Sequence, residues 1–397
     1  MDSSQTVASR PFHPKEPFWL DPRFRALLFQ ALVLGAVALL AWYLMANTIA
    51  NLQRQKIATG FAFLEKEAAF EIGESVISYS AADTYARALF VGALNTVKVA
   101  AIGIGLTVVL GTFIGIARLS SNWLIARLAA VYIEVMQDVP VLLQLFFWYA
   151  LFYEMLPGPR QALNPMIGVY VCNRGLIVPS LNPHPAWRWM ILAFTAAMVA
   201  SWLLRAWARR RQDRTGRPFP VFRTSLVLVL GAPLVTWWAF GFPRAVTLPE
   251  LQGFNFVGGK TLSPEFSALL LGLVLYTAAF VAEIVRAGIQ AVGKGQREAA
   301  MSLGLRPAQV LRLVILPQAL RVIIPPLTSQ MLNLTKNSSL AVAIGYPDFV
   351  SVANTTINQT GQSIEGVALI MAVYLFFSLS TSAFMNWYNK KARLVER

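Results

Sequence analysis

A chain of 397 residues that is 56% hydrophobic and 13% charged lies outside the composition of a soluble domain and reads as an integral membrane protein. Its formal charge of +15 does not mark a nucleic-acid binder, because the 34 Lys and Arg residues are scattered between apolar runs without a zinc-finger or basic-zipper pattern. One cysteine, Cys172, and two histidines, His13 and His184, exclude an intramolecular disulfide and leave neither a Cys/His metal spacing nor a clustered nucleophile for a membrane-bound enzyme.

Arg10, Lys15, Arg23 and Arg25 precede the first apolar run, which has the length of a span rather than of a signal-peptide core. Runs long enough to cross a bilayer lie near 26–46, 89–117, 140–156, 189–207, 222–241, 265–287, 317–335 and 366–386, which makes eight candidate spans. The third is the shortest, and the preceding WLIARLAAVYIEVMQ is apolar enough to form a helix at the interface. Lys and Arg in alternate connections number 22 on one side and 10 on the other, so the positive-inside rule places both termini in the cytoplasm. The outward connection at 47–88 is expected to hold a short amphipathic helix resting on the membrane or meeting an external protein. The RAWARRRQDRTGR stretch at 205–217 reads as a cytoplasmic topology anchor that attracts anionic headgroups.

Within the spans, Gly111 and Gly115 form a GxxxG pair suited to close helix packing. Lys98 either borders an aqueous path or snorkels outward, while Asn95, Thr96 and Gln144 are suited to hydrogen bonds between helices. Asn333, Thr335, Lys336, Asn337, Ser338 and Ser339 stand where an apolar span ends before a second short apolar run, which predicts a helix that breaks or re-enters within 329–349, or a polar cap at the outer interface. Asn95, Lys98, Gln144, Asn333, Lys336, Asn337 and Ser338 are the candidates for a substrate pathway. GFNFVGGKT at 253–261 fails as a phosphate-binding loop because Phe254 occupies the place of its first glycine and no strand is predicted before it. ATP use therefore requires another polypeptide.

The connection at 283–317 is long and charged for a turn between spans. After Gly293 and Gly295, GQREAAMSLGL supplies about three turns of good helix formers before Pro307 permits a new helix. Ala300 and Gly304 are expected to share a small-residue face, with Ala299 and Leu303 beside them, while Arg297 and Glu298 supply charge-assisted bonds to a partner.

The order Glu298, Ala299, Ala300, Gly304, Ile315, Leu316, Pro317 resembles the EAA loop of permease subunits in bacterial ABC importers. AEIVRAGIQAVGKGQREAA and VPVLLQLFFWY at 139–149 look like the polar amino acid branch, which includes histidine, arginine and glutamine permeases. The N-terminal span, its loop and two extra spans resemble the larger permease subunit of general L-amino-acid transporters. Asp138 departs from the small or neutral residue expected before the Val-Pro of that motif.

This resemblance implies an all-α integral membrane protein with a type I ABC importer core. Residues 1–88 then form an N-terminal cytoplasmic segment, first span and periplasmic loop, 89–156 and 264–390 the two parts of the core, 157–263 an insertion with two spans, and 391–397 a cytoplasmic tail. The coupling loop is 293–317, and Gly295, Arg297, Glu298, Ala299, Ala300, Gly304 and Pro317 engage the ATPase. The implied partners in a bacterial inner membrane are a second permease subunit, two copies of a cytoplasmic ATPase that uses ATP and Mg, a periplasmic amino-acid-binding protein, an amino acid substrate and membrane lipid. No cofactor or metal is assigned to this chain, and no nucleic acid. A proton-coupled secondary transporter and a structural subunit are the alternatives; the first would need titratable groups near the midplane and often an internal repeat.

Overall fold

The computed structural model describes residues 22–54, 60–181, 184–216, 219–242 and 246–392. Arg10 and Lys15 and most of the expected basic tail lie outside them. Among the described residues, seven helices are long and apolar enough to cross a membrane, and a bent helix pair supplies an eighth span. The spans begin with α1 (Pro22–Arg54) and α2 (Tyr85–Arg118).

The bent pair is α3 (Trp123–Asp138) and α4 (Val141–Ala150), which continues as a π-helical turn over Leu151–Met155. The two meet at 103°. The cause is local: a residue before proline is excluded from the helical region, and Val139 is extended at φ −89°, ψ 124° before Pro140. The Gln144 side-chain amide closes the elbow, its Nε2 donating to the carbonyls of Met136 at 3.0 Å and Val139 at 2.9 Å. Asp138, the residue that departs from the family pattern, is exposed at this elbow.

The insertion carries α5 (Ala186–Thr215) and α6 (Val221–Ala239), which pack chiefly on each other. It also contains short strands that the helical reading missed. Strands β1 (Leu163–Met166), β2 (Val169–Cys172) and β3 (Gly175–Val178) form an antiparallel meander, and β8 (Lys260–Leu262) pairs with β3. Between them, β4 (Ser180–Leu181) pairs with β5 (Val246–Thr247), and β6 (Glu250–Gln252) with β7 (Asn255–Val257). GFNFVGGKT thus spans the turn of one hairpin, β7 and the start of β8, with Gly258 and Gly259 at positive φ; against expectation a strand, β6, precedes it, but Phe254 still occupies the place of the first glycine. These strands are two to four residues long, too short to show a period in an apolar chain.

The core is completed by α7 (Pro264–Gln290), α8 (Lys294–Ser302), α9 (Pro307–Val310), a π-helical turn at Leu311–Ile315, α10 (Leu316–Asn337), α11 (Phe349–Thr360) and α12 (Ser363–Ala392). Its densest contact is α2 on α7. A Cβ added at Gly111 would come within 2.6 Å of Val281, and one at Gly115 within 2.6 Å of the Ala282 carbonyl oxygen. The glycine pair therefore sets how closely two backbones approach. The buried Val99, Leu145, Phe266, Leu269, Leu273 and Tyr346 join α2, α4, α7 and the segment after α10 in the largest cluster.

One expectation in the core needs correction, and another is met. The connection at 60–84 forms no amphipathic helix; it has a single 3₁₀ turn at Ala62–Glu65 and lies as a strap on the chain's own helices, with Phe63 and Ala68 buried against Tyr85, Leu89, Phe349 and Val352. The break foreseen within 329–349 begins after Asn337: residues Ser338–Ile344 tighten into a 3₁₀ helix and Gly345, at φ +78°, turns the chain. Asn333, Thr335, Lys336 and Asn337 are in regular helix.

Gly115→Leu is expected to lower the thermal midpoint of the detergent-solubilised protein by an amount corresponding to about 1–3 kcal/mol of overpacking. Gly105→Leu, on a side of α2 where an added Cβ meets nothing within 4 Å, should leave it nearly unchanged. Equal midpoints for the two variants would contradict the packing role.

Candidate functional site

The charged connection folds into α8 with Gly293 at its N-cap. Its C-terminus is a Schellman motif: the N–H of Gly304 donates to Met301 O at 2.9 Å and the N–H of Leu305 to Ala300 O at 3.4 Å. Gly304 adopts φ +78°, a conformation that side chains disfavour. It therefore ends the helix instead of extending a docking face. Ala300 is 5% exposed and turns inward, which corrects the proposed small-residue face shared with Gly304. The outward surface consists of Gly295, Arg297, Glu298, Ala299, Met301 and Leu303, the last 82% exposed. Among the described residues, Arg297 and Glu298 have no side-chain ion pair.

Helix α8 is held at the start of the next span by its own contacts. It touches α9 and the turn at 311–315, whose widened ring is closed by Leu316 N–H donating to Leu311 O. Pro317 follows, without an N–H to continue the ladder, and opens α10. Below the joint, Val281, Val285, Ala319 and Ile323 cluster, and Gly288 of α7 lies directly against the Ile323 side chain. The chain segments on either side of α8 thus meet each other where α7 packs on α10.

The sequence candidates for the pathway divide into three groups. Asn95 is fully buried, and its Nδ2 donates to Glu74 O at 2.8 Å and Pro347 O at 2.9 Å. Its neighbour Thr96 accepts from Phe349 N at 3.0 Å. Lys98 neither snorkels nor stands alone: its ammonium pairs with the Glu74 carboxylate and sits 4.0 Å from the centroid of the Phe266 ring. Ser263 Oγ donates to the second Glu74 oxygen at 2.7 Å. A cavity of about 390 Å³ adjoins this cluster, lined in part by Glu71, Glu74, Ser263, Glu265 and Ser351. Gln144 belongs instead to the elbow. On α10, Asn333 and Lys336 are exposed and Asn337 is half-buried, while Ser338, which opens the 3₁₀ helix, is buried and donates to Thr335 O at 2.7 Å.

Two residues of this region escaped sequence reading. Glu74 is remote in sequence from Lys98, and nothing nearby marks it. Asp348 was legible: it precedes FVSVANTTINQT and caps α11, accepting from Ser351 N at 2.8 Å. Burial pushes its carboxyl up to about 6, opposed by bonds from Ser351 N–H and the Tyr374 hydroxyl.

Exposed polar residues also run along one side of α10. Arg321, Ser329, Asn333 and Lys336 share an exposed face, opposite buried Ile323, Ile324, Met331 and Leu334. Polar side chains on a span belong against a protein or an aqueous path rather than lipid.

The spans carry an exposed, charged helix in the connection between α7 and α10. The family model for the inner membrane component of binding-protein-dependent transport systems matches residues 107–394, and the chain belongs to that family. It is 49% identical to the general L-amino acid transport system permease protein AapQ of Rhizobium johnstonii, over 95% of this chain and 94% of that protein. It is 41% identical to the glutamate/glutamine/aspartate/asparagine transport system permease protein BztB of Rhodobacter capsulatus, over 98% of this chain and 100% of that one. A crystal structure of an amino acid ABC transporter with histidines aligns with a TM-score of 0.46 at 23% identity, covering 77% of this chain and 95% of that one. The chain is a permease component, not an enzyme, and ATP hydrolysis in such transporters belongs to a partner ATPase.

Removing one member of the Lys98–Glu74 pair strands a largely buried charge. Lys98→Met alone and Glu74→Leu alone are each expected to destabilise by roughly 2 kcal/mol, and the double variant by less than their sum. Additive losses in thermal unfolding would show that the pair does not couple strap to helix.

Proposed function

We propose that the chain is one of two permease subunits lining an amino acid import path across a bacterial inner membrane, with both termini cytoplasmic. The continuous connection from the exposed α8 charges, through the turn at 311–315, to the polar face of α10 carries the reading. A second permease subunit covers that α10 face, so that Asn333 and Lys336 border the path instead of lipid. The relatives named above support amino acids as the substrate class.

A periplasmic binding protein delivers the amino acid to the side bearing the strap and the carboxylate-lined cavity. Two copies of a cytoplasmic ATPase, using ATP and Mg, receive the α8 helices. Their closure displaces α8, and the clamp between α7 and α10 passes the movement to spans that alternate between outward and inward access. In this scheme Gly295, Arg297, Glu298 and Ala299 meet the ATPase, while Ala300, Gly304 and Pro317 hold the helix and its joint in shape. Asn95 and Lys98 position the outer end of the path, and Gln144 its elbow. Asn337 and Ser338 mark the passage from α10 to the 3₁₀ helix. A free amino acid leaving water needs polar partners for both charged ends, and these surfaces offer both signs.

Copurification from membranes tests the assembly: a P-loop ATPase and a second permease chain are expected, and their absence would overturn it. Glu298→Lys should leave membrane insertion and Tm intact while reducing uptake and substrate-stimulated ATPase at least tenfold in reconstituted complexes. Normal coupling in that variant would remove Glu298 from the interface. Asn333→Ala and Lys336→Ala should alter the uptake competition profile among amino acids while basal ATPase stays within about twofold. An unchanged profile would take the α10 face out of the pathway.

A further inference from the structure

We infer that the cleft between the facing ends of α5 and α6 is a binding site for the phosphate of an anionic phospholipid headgroup. The cleft encloses about 390 Å³ and is lined by Arg205, Ala208, Arg209 and Gln212 of α5 and by Phe219, Val221 and Phe222 at the start of α6. Arg205, Arg209 and Gln212 follow one another at helical spacing, so their polar ends share a face, and buried Ala208 leaves room between them. Among the described residues, neither arginine has an ion pair, although Asp213 lies on the same helix. Arg211 is placed differently, its guanidinium over the Trp207 and Phe219 rings at 5.4 and 5.7 Å. That stacking holds the aromatic wall beside the cleft.

Depth and surroundings identify the occupant. Arg205 is the twentieth residue of α5, the length at which a helix leaves the hydrocarbon. Towards the membrane the walls become apolar and open, with Met198 52% and Trp202 68% exposed on the α5 side that carries Arg205 and Arg209, and Leu226 47% exposed one turn from Phe222. Only 11% of the α5 apolar window and 6% of the α6 window are buried in the chain. A phosphate held by two guanidinium forks, with acyl chains along an exposed apolar track, matches both parts of the surface. A free phosphate would leave the track unused, and a soluble acidic protein would have to cover it.

Native mass spectrometry of the detergent-solubilised complex tests the site, with phosphatidylglycerol and phosphatidylcholine as probes and the mass of this chain reporting each adduct. Phosphatidylglycerol should bind at least about tenfold more tightly, since the neutral headgroup lacks a net charge to pair. Arg205→Gln with Arg209→Gln should weaken it at least fivefold, whereas Arg210→Gln with Arg214→Gln, which removes equal charge outside the cleft, should change it less than twofold. Equal losses in both pairs would mean diffuse attraction and overturn the site, as would displacement of the lipid by millimolar inorganic phosphate. Loss of a copurifying acidic protein with lipid binding unchanged would overturn it too. If the glutamine pair does not fold, Arg205→Lys with Arg209→Lys preserves the charge and removes the fork geometry; undiminished binding there would refute bidentate capture. Each readout is independent of transport, so a failed import reading leaves it intact.

Discussion

The close approach of α2 and α7 through Gly111 and Gly115 is the contact on which the rest of the molecule depends. In lipid there is little hydrophobic drive to join two helices, so their association rests on packing and on polar bonds. Bare backbone at two successive turns of α2 lets Val281, Ala282 and Val285 of α7 fit directly against it. The bent α3–α4 pair and α10 pack around this axis, and at one end of it Gly288 against Ile323 brings in the joint beneath α8.

The opposite end is organised differently. Polar groups that would be costly singly are grouped so that each satisfies another. Glu74 takes the Lys98 ammonium and the Ser263 hydroxyl, while its backbone carbonyl receives Asn95. One strap residue thereby ties α2 to the entrance of α7. Asp348, accepting from Tyr374, ties the start of α11 to α12.

Features governed by local chemistry were legible in the sequence. Span lengths, the GxxxG contact, the existence of α8 and the failure of the phosphate loop all follow from residues close together in the chain. The elbow at Val139–Pro140 was half-legible: a short third span and a separate apolar helix were visible, but their angle was not. What could not be read were partnerships across long separations, such as Glu74 with Lys98 or β3 with β8. Ala300 shows a related limit. Small size marks it for close contact, but whether that contact lies inside the chain or outside depends on how α8 settles on the turn at 311–315.

The pairing of β3 with β8 has a consequence for how such a chain could change its length. Leu176 faces Leu262 and Val178 faces Lys260, so the insertion departs and returns at neighbouring points. Closing so short a gap requires little chain, and closure entropy grows only slowly with the length of what is looped out. The α5–α6 hairpin is thus topologically separable, a closed excursion whose removal need not shift the helices before or after it. Gain or loss of that module would be neutral for the connectivity of the core, leaving the hairpin free to diversify towards the membrane in which it sits.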